Sequence, residues 1–341
     1  RTPSDPDDPT DDPDSTPSVG DTTAITWLTN RVPPADPAAR RIHGAHDTWT
    51  DAAGEHRTLA PRARLAEALP ALLLDMTEAP DRRPHGSPGP WARLILATTD
   101  RDLKDSRAGT ATRLTRRGIA LGTTLDLGTG TLALALRHQT GAATVTDGGT
   151  IDITATTLGL RHHWDLEPLA LHLQASASTV SSDLVSHERG TLARNLAGTG
   201  LTAGLGTATT LALANATTLT LGADVTHARV TADAFTARLA DAGTVTPVPV
   251  TGIQGTATTL TLRADWHQPR PTGALFAGAR LDLPLEGSAD AQVGTTPLTS
   301  TRRASLGVTA GIAFDRTTLA LGSTTTGSGA DSVTARLSVA F

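Results

Sequence analysis

From Trp91 to Phe341 the chain alternates apolar residues with small or polar ones at a period of two, broken by short clusters of Gly, Asp, Pro and Thr. Successive side chains of a strand point to opposite faces. About 250 residues of such alternation demand antiparallel sheet and leave room for little else. In 118–127, Ile119, Leu121, Leu125 and Leu127 share one face, and Gly118, Gly122, Thr124 and Asp126 share the other. Leu132, Leu134 and Leu136 are set against Ala133, Ala135 and Arg137, and Leu169, Leu171 and Leu173 against His172 and Gln174. The same contrast recurs at Leu260 and Leu262 against Arg263 and Asp265, and at Leu281 and Leu283 against Arg280 and Asp282. It closes the chain at Val333, Leu337, Val339 and Phe341, opposed by Thr334, Arg336 and Ser338.

Turn signals divide this region into twelve strands, at 91–99, 116–127, 131–140, 152–165, 168–178, 196–207, 217–231, 253–266, 273–284, 302–314, 317–326 and 331–341. Two architectures share that pattern. In a soluble sandwich or barrel the leucine face is the core. In an outer-membrane barrel it meets lipid, and the polar face lines a wet lumen. Composition favours the second. The polar face is mostly Gly, Ala, Ser and Thr with scattered Arg and Asp, and the chain has one lysine, Lys104, where a soluble surface carries many. Aromatic residues are 3% of the chain and Tyr is absent, too few for an ordinary core. Trp91, Trp164, Trp266, Phe314 and Phe341 lie near strand ends, as an interfacial belt requires, while Phe276 lies mid-strand on the polar face. On this register Arg137, Arg161, Arg263, Arg280, Arg336, Asp126, Asp165, Asp265 and Asp282 are lumenal charges.

Several function classes fall away. With no Cys there is no disulfide, thiolate metal site or Cys nucleophile. A net charge of -5 without a basic run argues against a nucleic-acid partner. The longest apolar stretch, Leu65 to Leu74, contains Glu67 and Pro70 and is far short of the ~18–20 residues of a membrane helix. No cofactor or metal is expected. His162, His163, Asp165, Asp265 and His267 are the best candidates for acid–base chemistry, but as adjacent strand residues His162 and His163 face opposite ways. We expect charge networks there rather than an enzyme.

Ahead of the strands, residues 1–20 are Pro, Asp, Ser and Thr, too polar to bury a core, and read as a disordered acidic linker. Residues 21–60 read as irregular, broken by Pro33, Pro34, Pro37 and Gly54, and form the rest of a linker and passenger remnant. Because the chain begins at Arg1, it reads as a fragment or processed product. Over 62–78, Leu65, Ala68, Leu69, Leu72, Leu73 and Met76 recur at helical spacing, with Pro70 expected to kink the helix. The expected domains are therefore 1–60 linker, 61–90 helix and connector, and 91–341 barrel.

In this order the segments resemble the autotransporters, the type V secretion proteins of Gram-negative bacteria. RLAEALPALLLDM resembles the helix that precedes the family's barrels, and PWARL at 90–94 the opening of its first strand. GIALGTTLDLGTGTLALAL resembles the Gly-rich second and third strands, and RLSVAF the terminal assembly signal. The resemblance implies a twelve-stranded antiparallel transmembrane β-barrel in the outer membrane, with the helix of Leu65, Leu69, Leu72, Leu73 and Met76 in its lumen. It implies outer-membrane lipid, the barrel-assembly machinery (through Leu337, Val339 and Phe341) and the chain's own upstream passenger as partners. The passenger would be carried to the cell surface and either kept there or released. A passive channel or adhesin anchor, and an outer-membrane hydrolase, are the competing readings. The family's Asn-Asn cleavage junction does not occur here.

Overall fold

The computed structural model describes residues 40–43, 45–51, 54–77, 89–102, 110–187, 190–241, 244–314, 316–326 and 330–340. Strands β1 (Arg40–His43), β2 (His46–Asp51) and β3 (Gly54–Leu59) form a small antiparallel sheet where irregular chain was expected. Helix α1 (Pro61–Met76) follows. Next come β4 (Gly89–Asp102), β5 (Ala111–Asp126), β6 (Gly130–Val145), β7 (Gly149–Leu166), β8 (Leu169–Ser186), β9 (Gly190–Ala212) and β10 (Thr218–Ala232). The remainder is β11 (Phe235–Asp241), β12 (Thr244–Arg270), β13 (Gly273–Glu286), β14 (Ala289–Val293), β15 (Thr296–Ser300), β16 (Ser305–Phe314), β17 (Thr317–Thr326) and β18 (Ala330–Ala340). The linker 1–20 and the terminal Phe341 lie outside the described residues.

Twelve strands close into an antiparallel barrel. Neighbours pair in sequence from β4 to β10, β10 pairs directly with β12, β13 with β16, and β18 returns to β4. All twelve correspond to the strands expected from the sequence. Three elements lie outside that ring. β11 doubles back on the long β12, and β14 and β15 form a hairpin whose first strand pairs with β12 near Val250. At one end the connections are tight, at 127–129, 167–168 and 271–272. We call this the turn end, and the opposite one, which carries β11, β14 and β15, the loop end.

The leucines point outward. Leu121 is 51% exposed, Leu158 60%, Leu205 59% and Leu321 60%, so the face that a soluble barrel would bury is on the outside. Leu158 to Leu166 on β7 spans roughly 20 Å of barrel height at a ~40° tilt, close to the ~25 Å apolar band of membrane barrels. Trp164, Trp266 and Phe314 border this belt at the turn end. Trp91, expected in the belt, instead faces the lumen and is 5% exposed. Its ring lies over Gly122 of β5, where a Cβ would collide with it, so the bare glycine makes the slot. No described helix is long and apolar enough to cross a membrane.

The polarity then reverses along the same strands. On β7 the outward residues Leu158 and Leu160 give way toward the loop end to Thr156, Thr154 and Asp152. The inward residues there are Ile151, Ile153 and Ala155, all buried. Leu114 on β5, Val145 on β6, Val180 and Leu184 on β8 and Val230 on β10 are likewise buried inside the loop-end half. They enclose α1, whose Leu65, Leu69, Leu72, Leu73 and Met76 are at most 2% exposed. Every side of the helix is covered: all residues from Arg62 to Met76 are buried, with Leu65, Leu69, Leu72 and Leu73 on one face and Leu74 opposite them. Pro61 stands at its first turn, where the missing N–H costs nothing. One helix runs through Pro70 without starting a second section there. The β14–β15 hairpin adds Ala289, Ala291, Val293 and Leu298 to the same core.

Two substitutions separate the halves. Leu69→Ala should lower the unfolding free energy of the folded chain by about 2–5 kcal/mol, read from denaturant titration in detergent. Leu158→Arg should leave a core intact but cost about 2–4 kcal/mol on transfer into lipid, read as reduced insertion into vesicles.

Candidate functional site

The lumen is built from the inward positions of the barrel strands, and α1 divides it in two. At the loop end the helix is fixed at both termini. The Ala60 N–H donates to the Ala45 carbonyl at 2.9 Å, and the Thr110 hydroxyl to a Glu67 carboxylate oxygen at 2.7 Å. At the other terminus Thr77 returns its N–H and hydroxyl to the Leu73 carbonyl at 3.1 and 3.0 Å, closing the last turn. Arg116 donates to the Asp75 carbonyl at 2.8 Å, and Gln139 to that of Met76. Arg302 pairs with the Asp75 carboxylate at 2.8 Å. Arginines at the negative end of a helix dipole are favourably placed.

Below the helix the wall turns polar. Among the described residues a cavity of about 470 Å3 is lined by seven arginines and three aspartates, with Thr, Ala and Gly between them. Arg161, Arg263, Arg280 and Arg336 line it, as do Asp265 and Asp282, all six from strand positions of inward parity. Arg137 also has that parity and is 6% exposed. Asp126 and Asp165, expected in the lumen, sit instead on the exposed turn-end rim, because the strands are ending there. The Asp126 carboxylate accepts the Gly128 N–H at 2.8 Å and closes the β5–β6 turn. Asp165 lies 2.9 Å from His163 Nε2. His162 points the other way, its ring centroid 3.9 Å from that of Trp164. The histidine–aspartate candidates are thus dispersed, with Asp265 and His267 in the cavity and His163 and Asp165 at the rim.

Two features of the lumen escaped the sequence. His172, fully buried on β8, bonds through Nε2 to Asp224 on β10, whose other oxygen is 3.2 Å from Arg263 Nη1 on β12. Gly206 of β9 stands between the first two, and a Cβ there would strike both. Arg263 and Arg280 are direct cross-strand partners, a repulsive pairing. Asp282 offsets it, 2.8 Å from Arg280 Nε and accepting the Thr261 hydroxyl at 2.6 Å. The signal was the run of glycines on inward positions of β9 and β10, which marks large side chains reaching across from neighbouring strands. At the seam, Arg93 of β4 donates to the Ser338 hydroxyl of β18 at 2.9 Å, with its guanidinium 5.5 Å from the Trp91 ring centre.

No family model matches the chain, and no curated protein sequence matches it. Solved structures do match. The transport unit of the autotransporter AIDA-I from Escherichia coli superposes with a TM-score of 0.60 at 14% identity, covering 83% of this chain and 99% of that one. The translocator domain of autotransporter NalP from Neisseria meningitidis gives 0.59 at 14% identity, covering 80% and 92%. The beta domain of the Bordetella autotransporter BrkA gives 0.50 at 15% identity, covering 75% and 100%. The fold is that of autotransporter translocator domains. At these identities the likeness resides in backbone architecture, so the lumenal network of an autotransporter-like barrel must be argued from this chain's own residues.

The network should be sensitive to volume at Gly206. Gly206→Val should destabilise the folded barrel by about 1–3 kcal/mol through overpacking, whereas Ala203→Val on the outward face should be nearly neutral. The temperature at which the folded band disappears on an unheated gel is the readout.

Proposed function

We propose that this chain is an outer-membrane translocator: a barrel that carries an upstream passenger to the cell surface and anchors it there. One observation carries the reading. An outward leucine belt surrounds a polar lumen, and that lumen is stoppered at the loop end by the chain's own upstream helix. Arg64, in the first turn of α1, packs beside Gly148 in the loop-end β6–β7 turn, so the chain ahead of the helix leaves at that end. In outer-membrane barrels the short turns face the periplasm and the longer loops face outward. The N-terminal segment therefore lies on the cell-surface side, which is where a passenger belongs.

The division of the chain fits this role: 1–60 as linker and passenger remnant, 61–90 as helix and connector, 91–341 as the inserted domain. The cavity wall, mostly Thr, Ala, Arg and Asp, offers an extended chain polar surroundings and little apolar grip. The apolar collar above it holds a leucine-rich helix. A permanently open channel is less well supported, because the helix and the β14–β15 hairpin fill the loop end. We assign the assembly machinery the outward C-terminal face, with Leu337, Val339 and Phe341 as its ligands. Leu337 is 42% exposed, and Val339 shares its parity.

The test is topological. The chain, expressed in a Gram-negative cell behind a secretory signal and an N-terminal epitope, should show the epitope to antibody on intact cells and lose it to added protease. A folded, heat-modifiable barrel with its epitope retained in the periplasm would overturn translocation and leave the barrel standing. Deleting Phe341 should cut the yield of heat-modifiable barrel several-fold; an undiminished yield would remove the terminal residue from the assembly signal.

A further inference from the structure

The two borders of the leucine belt are chemically different. The outward aromatic residues among those described, Trp164, Trp266 and Phe314, all stand at the turn end. At the loop-end border the belt gives way to Arg, His and Thr. Two residues beyond Ile119 on β5 is Arg117, two beyond Leu136 on β6 is His138, and two beyond Leu158 on β7 is Thr156. The arrangement is repeated elsewhere on the wall. Beyond Val225 on β10 come His227 and then Arg229, and beyond Leu260 on β12 comes Thr258.

The two clusters share a cross-strand histidine–threonine bond and an arginine one step nearer the loop end, on the preceding strand β5 in the first and on the histidine's own strand β10 in the second. His138 Nδ1 lies 3.0 Å from the Thr156 hydroxyl, and His227 Nδ1 lies 2.9 Å from the Thr258 hydroxyl. Each bond spans adjacent strands and holds an exposed imidazole against the wall. Arg117 is a register neighbour of Leu96 and Thr140, and Arg229 of Leu201 and Thr256. None of these is acidic. The nearest carboxylate in register is Glu286, on the far side of Thr258 from His227.

At this height a lipid bilayer presents its headgroup phosphates. Arginine offers a planar fork that fits phosphate oxygens, and a protonated imidazole and a threonine hydroxyl donate to the same group. Cations beside a membrane surface attract anionic headgroups, whereas an aromatic belt anchors without regard to charge. The chain has no Tyr to build a second girdle. We propose that the clusters Arg117–His138–Thr156 and Arg229–His227–Thr258 are two binding sites for the phosphate headgroup of an anionic lipid in the loop-end leaflet. The proposal rests on the membrane-barrel reading above and adds a ligand to it.

The folded full chain in neutral detergent can be titrated with bis-phosphorylated lipid A and with its dephosphorylated form, counting bound lipids by native mass spectrometry. Wild type should retain up to two phosphorylated lipids and bind the dephosphorylated form about tenfold more weakly. Arg117→Gln with His138→Gln should remove one, Arg229→Gln with His227→Gln the other, and all four should remove both. The gel-shift temperature should be unchanged throughout, which distinguishes site loss from misfolding. Equal binding of both lipids, or full retention by the fourfold variant, overturns the sites. Insertion into pure phosphatidylcholine vesicles, followed by protection of the barrel from protease, is scored separately. Insertion without phosphate preference defeats the sites alone, and failure to insert defeats the barrel reading with them.

Discussion

Closure is the constraint from which the rest of this structure follows. A hydrocarbon layer hydrogen-bonds nothing, so every backbone N–H and C=O at its depth must find a partner within the protein. The chain meets that demand by pairing its last strand with the first of the ring, Leu337 opposite Leu94, and by letting β10 reach past β11 to β12. With the ladder closed, side chains have only two places to go. Leucine is dispensable inside and needed outside, which inverts the ordinary rule of a folded domain.

That inversion holds for only part of the barrel's height. Above the belt the same strands carry Thr, Asp and Arg outward and Ile, Val and Leu inward, and they behave as a water-soluble sheet around a hydrophobic core. The core has no second sheet, so the sixteen-residue α1 serves as its other half. This accounts for the unequal strands. β16, β17 and β18 are ten or eleven residues long and little more than cross the belt, whereas β9 and β12 run to 23 and 27 residues and build the collar. The scarcity of aromatics follows too. A lipid-facing surface needs no interlocking shapes, and the collar is filled by a helix.

The strand count and the existence of the helix were legible in the sequence because both rest on periodicity, which survives without knowledge of neighbours; closure into a barrel and the helix's place in the lumen came from the resemblance to the autotransporters. The height of the collar was also written there but went unread. Ile151 and Ile153 are odd and Leu158 and Leu160 even, so the apolar parity changes on β7 while the strand runs straight. A search for one apolar face per strand passes over that change. The sheet at 40–59 was missed because its residues are mostly polar and its signal is pairing, which periodicity does not report. Of the charges read as lumenal, Arg161, Arg263, Arg280, Arg336, Asp265 and Asp282 lie mid-strand and line the cavity. Asp126 and Asp165 were misplaced because parity loses its meaning where a strand turns. Trp91 shows the other blind spot. Proximity to a strand end suggested the lipid border, but its parity was inward and a glycine on the next strand had already cleared its place.

The two halves of the lumen also differ in what they can hold. In the lower half the wall is threonine, glycine and arginine, and a polar extended chain gains nothing there that water does not already supply. In the upper half the wall is apolar, and a helix buried on every side, with leucine on its main apolar face, loses its contact with water all at once. The five leucines of α1 are each at most 2% exposed, so burial alone contributes several kcal/mol for a segment that would be marginal as an isolated helix. Hydrophobic attraction falls away within about a side chain's reach, so this gain begins only where the wall changes from Thr and Gly to Ile and Val. The height of that change, rather than any single contact, fixes where the helix rests. Arg116, Arg302 and Thr202, grouped around the C-terminal end of α1, then set its depth by binding Asp75 and the last carbonyls.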